Sequence, residues 1–192
     1  MKILKIIGIV VGAIVIILAG LILMQPAKGH VEKSVVINAP ASAIFPHLNS
    51  LEKFVAWSPW AKMDPTVKNT YEGAAAGVSA KMQWDGPETG KGTQWISESV
   101  ENERVKTGLK FEGMDGESTA EFILTPEGNG TKVTWTYDGD NAGFMGKAIW
   151  LMMGSMLEGQ YQDGLNDLKK LIESQPVEEP VSATPVDSIK QK

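Results

Sequence analysis

Few side chains in this sequence are equipped for chemistry. None of the 192 residues is cysteine, which excludes disulfides, thiolate metal ligands and a cysteine nucleophile and leaves either redox compartment open. The two histidines, His30 and His47, are too few for a histidine metal cluster, and no metal or other cofactor is expected. His47 follows Pro46 on a short helix and reads as a surface or packing residue rather than a base. General acid–base catalysis needs a carboxylate, histidine or tyrosine inside a pocket. Glu98 and Glu121 fall on the charged side of their strands, pointing outward. The polar groups left on the apolar side are Ser97, Thr107 and Tyr137, which suit orienting a ligand. The glycine-rich stretches GAAAG (Gly73–Gly77) and GKG (Gly90–Gly92) lack the spacing of phosphate-binding loops and read as hairpin turns. No nucleophile stands beside a base, so the residues point away from an enzyme.

The elements that must position these groups follow from periodicity. HVEKSVVINA ends at Ala39-Pro40 and reads as a strand. PASAIFPHLNSLEKFVAW reads as two short helices, the second capped by Asn49 or Ser50. Six strand signals follow, TVKNTYE, VSAKMQW, GTQWISESV, RVKTGLKF, STAEFILT and TKVTWTY, separated by glycine-rich turns. Gly143–Glu173 reads as one long helix with apolar positions at Met145, Ala148, Ile149, Met152, Met156, Leu165, Leu168 and Ile172. Alternation gives the sheet an apolar face: Ala80, Met82 and Trp84; Trp95 and Ser97; Val105, Thr107, Leu109 and Phe111; Ala120, Phe122 and Leu124; Val133, Trp135 and Tyr137. The other face carries Lys81, Lys106, Lys110 and Lys132 as well as the two glutamates. This is a half-buried antiparallel sheet of about seven strands. The long C-terminal helix is the element available to cover it, giving an α+β fold.

The ends differ from the middle. Ile6–Met24 holds no charge, and Ile3–Met24 as a helix would rise about 33 Å, enough for a hydrocarbon core. The run is longer than a secretory signal's apolar region and lacks a good cleavage site, so residues 1–29 read as a single transmembrane anchor and short linker, with residues 3–24 in the membrane. Lys2 and Lys5 before the span favour a cytoplasmic N-terminus and an exported domain. Gly8 and Gly12 give the span a small-residue face through which two copies could pair as a weak homodimer. Residues 30–173 form the domain, with 20 acids against 13 bases, a balance that disfavours nucleic acid. Residues 174–192, with three prolines, read as a disordered tail.

Several motifs in order carry a resemblance: SVVINAPASAIFPHL, FVAWSPW, MQWDG before GKGTQWI, GNGTKVTW, and LEGQYQDGLNDLKKLIE. Over about residues 30–173 the chain resembles the START-like (SRPBCC) superfamily in its polyketide cyclase/dehydrase branch, with the helix-grip fold. The resemblance implies a cavity between sheet and long helix for an apolar or amphiphilic ligand, and a membrane anchor shifts the expectation towards lipid. The lining expected is Trp60, Met82, Trp84, Trp95, Ser97 and Thr107, then Phe111, Phe122, Trp135, Tyr137, Met152 and Met156. In FVAWSPW, Trp60 would face inward as a rim or plug and Trp57 would pack under the short helices. Two alternatives stand beside binding. One is an interaction module whose core is filled by tryptophan and methionine. The other is a cyclase- or hydratase-type enzyme using Tyr137 or an unplaced carboxylate.

Overall fold

A computed structural model describes residues 2–114 and 116–174; of the expected disordered tail, residues 175–192 lie outside the described residues. Helix α1 (Lys2–Leu23) buries none of its side chains and is the one helix, among the described residues, long and apolar enough to cross a membrane. Strand β1 (Lys28–Ile37) begins after four intervening residues. Three short helices follow, α2 (Ala41–Leu48), α3 (Leu51–Trp57) and α4 (Pro59–Met63), and then strands β2 (Lys68–Glu72), β3 (Lys81–Gly86), β4 (Gly90–Val100), β5 (Arg104–Phe111), β6 (Ser118–Glu127) and β7 (Gly130–Asp140). Helix α5 (Gly143–Glu173) closes the domain. The strands form one antiparallel sheet in the order β1-β7-β6-β5-β4-β3-β2. The first strand therefore lies beside the last, and α2–α4 carry the chain from one edge of the sheet to the other. This is the helix-grip architecture, α+β, preceded by a single apolar helix.

Local chemistry explains the helical crossover. The Ser50 hydroxyl caps α3 by accepting the Lys53 N–H (3.5 Å), and Pro59 occupies the first turn of α4, where its missing N–H costs nothing. The stretch after Trp57 is thus a third short helix where the sequence reads as two. Asp64 closes that helix and is buried. It accepts the N–H groups of Glu88 (3.0 Å) and Thr89 (3.2 Å) and the hydroxyls of Thr66 (3.0 Å) and Thr89 (3.1 Å). Burial alone would raise its pKa, but these donors outweigh it and hold the carboxyl below its ordinary value. One side chain so ties α4 to the β3–β4 turn.

Two expectations about facing are corrected. In β4 the pairing shifts between Ile96 and Glu98, a bulge at Ser97 that absorbs one residue of the alternation. Gln94 and Ile96 consequently point inward and are buried. Trp95 turns to the outer face, where its indole covers Gly108, the residue directly opposite it, and Ser97 is exposed. In α5, Met156 and Leu165 are nine residues apart, two and a half turns, so they face opposite ways. Gly154, Tyr161, Gly164, Leu165, Leu168 and Ile172 are buried, with Trp150 and Leu157 packed beside them. The row Met145, Met152 and Met156 points away from the sheet, and Met152 is 79% exposed.

The second half of α5 is fastened by more than its apolar face. Lys33 pairs with Glu158 (2.8 Å), Lys62 with Asp167, and the Glu173 carboxylate accepts the Asn38 N–H (2.8 Å). Exposed pairs of this kind contribute little individually. The main attachment is burial of Leu165 and Leu168, each fully covered, at about 1.5–3 kcal/mol per side chain.

Candidate functional site

The register places the inward side chains in rows across β3–β7, and the rows differ from one end of the sheet to the other. At the end facing α2–α4 and the second half of α5, the space is packed with aromatic rings. Trp135 stacks on Tyr161 with centroids 3.9 Å apart, Trp57 meets Phe122 and Trp135 edge-on at 5.8 and 5.6 Å, and Phe54 meets Trp57 edge-on at 5.0 Å. Trp57 and Trp135 are each 2% exposed. The Trp57 indole donates to the His47 carbonyl (3.3 Å). Trp60 is half-buried and stands edge-on to both Trp135 (5.6 Å) and Tyr161 (6.1 Å). The motif FVAWSPW thus supplies the stopper of this end. Burial, with weaker contributions from Tyr137 and Asp138, pushes the Tyr161 phenol well above its ordinary pKa, so it stays neutral. The Trp135 N–H is buried without a partner, an unsatisfied donor inside the sheet's grip.

At the other end the inner face is only half covered. Trp84, Leu109, Phe111, Tyr137 and Trp150 are all partly buried. Trp84 packs edge-on against Phe111 (5.5 Å), and Tyr137 lies parallel to Trp150 at 6.2 Å. Trp150 rests on Gly29, where a Cβ would come within 2.6 Å of the indole; glycine is what admits the ring. Polar groups are spaced among these surfaces. Tyr137 Oη and Ser118 Oγ share a hydrogen bond (2.9 Å), and Gln94 Nε2 donates to Thr107 Oγ1 (3.3 Å), which donates to the Ala120 carbonyl (3.3 Å).

Of the side chains singled out by sequence, Met82, Trp84, Thr107, Phe111 and Tyr137 come together on the inner face towards this half-covered end. Phe122, Trp135 and Trp60 belong to the packed end. Trp95 and Ser97 stand on the outer face, and Met152 and Met156 face away from the sheet. Gln94, Ser118 and Trp150 were not singled out. Ser118 was within reach, since it alternates with Ala120, Phe122 and Leu124. Glu98 and Glu121 both engage Arg104 on the outer face. His47 Nδ1 is buried without a partner, and burial followed by the nearby Lys53 charge lowers its pKa.

Two concavities are seen among the described residues, the second of which shares Trp84 and Phe111 with the half-covered end. A void of about 40 Å³ under the Gly73–Gly77 loop touches Leu51, Tyr71 and Ala80, room for about one water. An open groove of about 700 Å³ runs over β2–β5 past Thr70, Trp84, Thr93, Lys110 and Phe111, and no residue of α5 lines it.

Residues 28–173 match the model of the family described as polyketide cyclase / dehydrase and lipid transport. No curated protein sequence gives a significant match. Among solved structures, protein CV1439 from Chromobacterium violaceum is similar at TM-score 0.58 and 16% identity, over 77% of this chain and 99% of that one. The Aha1 dimer from Colwellia psychrerythraea is similar at TM-score 0.54 and 16% identity, over 76% and 96%. CalU16 from Micromonospora echinospora is similar at TM-score 0.52 and 13% identity, over 77% and 85%. At these identities the structures establish the fold, while the family match spans three quarters of the sequence. The chain belongs to the polyketide cyclase/dehydrase and lipid transport family of the START-like superfamily.

Proposed function

We propose that this protein is a membrane-tethered binding domain for a hydrophobic or amphiphilic small molecule, lipid-like in character. The molecule sits at the half-covered end of the inner face. The observation that carries the reading is the composition of that end: partly exposed Trp84, Leu109, Phe111 and Trp150 around the Tyr137–Ser118 hydroxyl pair. Apolar walls with a few convergent polar groups are what such ligands need. Helix α1 is the tether, with its N-terminus in the cytoplasm, and the short link to β1 keeps the domain at the membrane surface.

A second reading rests on the packed end, where Trp57, Phe122, Trp135 and Tyr161 fill the grip. On that reading the domain is an interaction module with a filled core. Native mass spectrometry of the full chain, extracted gently from its own membrane, separates the two. Binding predicts a released apolar molecule, and Leu109→Trp, which fills the half-covered end, should reduce its occupancy. Protein that carries nothing, and that takes up an apolar dye no better than Leu109→Trp does, would sink the binding reading.

A further inference from the structure

The first half of α5 is built unlike the second. From Gly143 to Leu157 it holds a single charge, Lys147, and the Lys147 ammonium donates to the Leu23 carbonyl at the end of α1 (3.0 Å). The packed side of this half is held by Trp150 and Gly154. On the side turned away from the sheet stand Met145, 70% exposed, and Met152, with Ala148 and Ile149 between them. Phe144, Leu151 and Met153 flank them, also exposed. A soluble helix shows the opposite pattern, polar outward and apolar inward.

The same helix supplies its own comparison. Eighteen residues make five full turns, so Asp163 lies in line with Met145 and Lys170 in line with Met152. One outward stripe is therefore apolar beside α1 and charged beyond Glu158. Water suits the charged stretch. The apolar stretch continues the surface of α1, which it touches and to which Lys147 fastens it.

We infer that the outward face of Gly143–Leu157 lies on the lipid bilayer and docks the domain at the boundary between headgroups and acyl chains. Methionine suits this, being apolar and adaptable in shape, and an interfacial helix needs one apolar face rather than a full span. The inference rests on the reading of α1 as a membrane anchor. It also places the half-covered end of the inner face, where Trp150 sits, against the lipid rather than in bulk water.

The absence of cysteine makes the test clean, because each introduced thiol is unique. The full chain is reconstituted in vesicles of phosphatidylcholine and phosphatidylglycerol, carrying one environment-sensitive fluorophore at Met145→Cys, Met152→Cys, Lys170→Cys or Ile14→Cys. Nitroxide-labelled lipids serve as quenchers. Labels at 145, 152 and 14 should emit to the blue and lose intensity to the nitroxide, whereas the label at 170 should do neither. Labels at 145 and 152 that match 170 while 14 is quenched would overturn the docking and leave the anchor standing. If the label at 14 is also unquenched, both fall. Blue-shifted labels at 145 and 152 that no lipid quencher reaches would mean a second protein copy or another partner covers the face, which also overturns the inference. The substituted methionines are exposed, so folding is retained, and circular dichroism confirms it for each variant.

Discussion

Whether the aromatic end of the grip is full can be tested with one methyl group. Gly164 lies on the packed side of α5, and a Cβ added there would meet Pro59 Cδ and Trp135 Cζ3, each at 3.0 Å. Neither neighbour has room to yield. Trp135 is stacked on Tyr161 at its back and bounded by Phe54, Trp57, Trp60 and Phe122, and Pro59 is buried in the first turn of α4. Two opposing effects then act on Gly164→Ala. Alanine gains about 1 kcal/mol over glycine in a helix interior. Overpacking a closed core loses about 1–3 kcal/mol. The net expectation is a loss of about 0–2 kcal/mol, too close to zero to interpret alone.

Gly159 on the same helix removes the ambiguity. A Cβ there meets nothing within 4 Å, so Gly159→Ala should show the helix gain by itself, about 1 kcal/mol of stabilisation. The difference between the two variants isolates the packing term, about 1–3 kcal/mol in favour of Gly159→Ala. Urea unfolding of the full chain in detergent, followed by tryptophan fluorescence, measures it. All six tryptophans lie in the domain and none in α1, so the signal reports the domain. If Gly164→Ala equals or exceeds Gly159→Ala in stability, Trp135 can move. The packed end would then hold free space, and the division of the inner face into a filled and a half-covered end would be refuted.

Trp57→Ala removes a buried indole that contacts Phe54, Phe122 and Trp135 and should lose about 3–5 kcal/mol, read by the same urea titration. Trp95→Ala should lower stability by uncovering Gly108 but leave ligand occupancy in the native mass spectrum unchanged, because Trp95 is on the outer face. Asp64 has its folded pKa below its ordinary value of 3.8. The stability it contributes is therefore present above that value and lost as pH falls through the folded pKa. Asp64→Ala should unfold at lower urea than wild type at neutral pH, and the gap should narrow on acidification below about pH 4. A gap that holds constant with pH would show that the charge is not what ties the β3–β4 turn.

The strands and the long helix were legible because each buries one face and alternation or helical period records it. Met82, Trp84, Thr107, Phe111 and Tyr137 could be placed on the inner face on that basis alone. The failures have physical causes. Alternation counts residues, and a bulge inserts one without any mark in the sequence, so Trp95 and Ile96 exchanged faces. In the first half of α5 every side is apolar, so periodicity could not say which side met the sheet, and the methionines were assigned inward. Helix α4 is five residues long, too short for a period to show. Trp150 could not be found without knowing that Gly29 would lie beneath it, a contact between residues more than a hundred positions apart.

The two halves of α5 also differ in how firmly they are held, and that difference bears on how a ligand would enter. The second half is fixed by Tyr161, Leu165, Leu168 and Ile172, all buried, and by the ties from Lys33, Lys62 and Asn38. The first half is held by the Trp150 ring on Gly29, by Leu157 against the core and by the Lys147 bond to Leu23, with Gly154 its one buried residue. Few buried contacts mean a low free energy of local opening, so lifting the first half exposes the Tyr137–Ser118 end while the aromatic end stays shut. On the proposed reading that opening happens against lipid. Trp150→Ala should therefore speed loss of the bound molecule into empty vesicles, with little change in the urea midpoint. A large fall in that midpoint, with release unchanged, would mean Trp150 belongs to the core rather than to a gate.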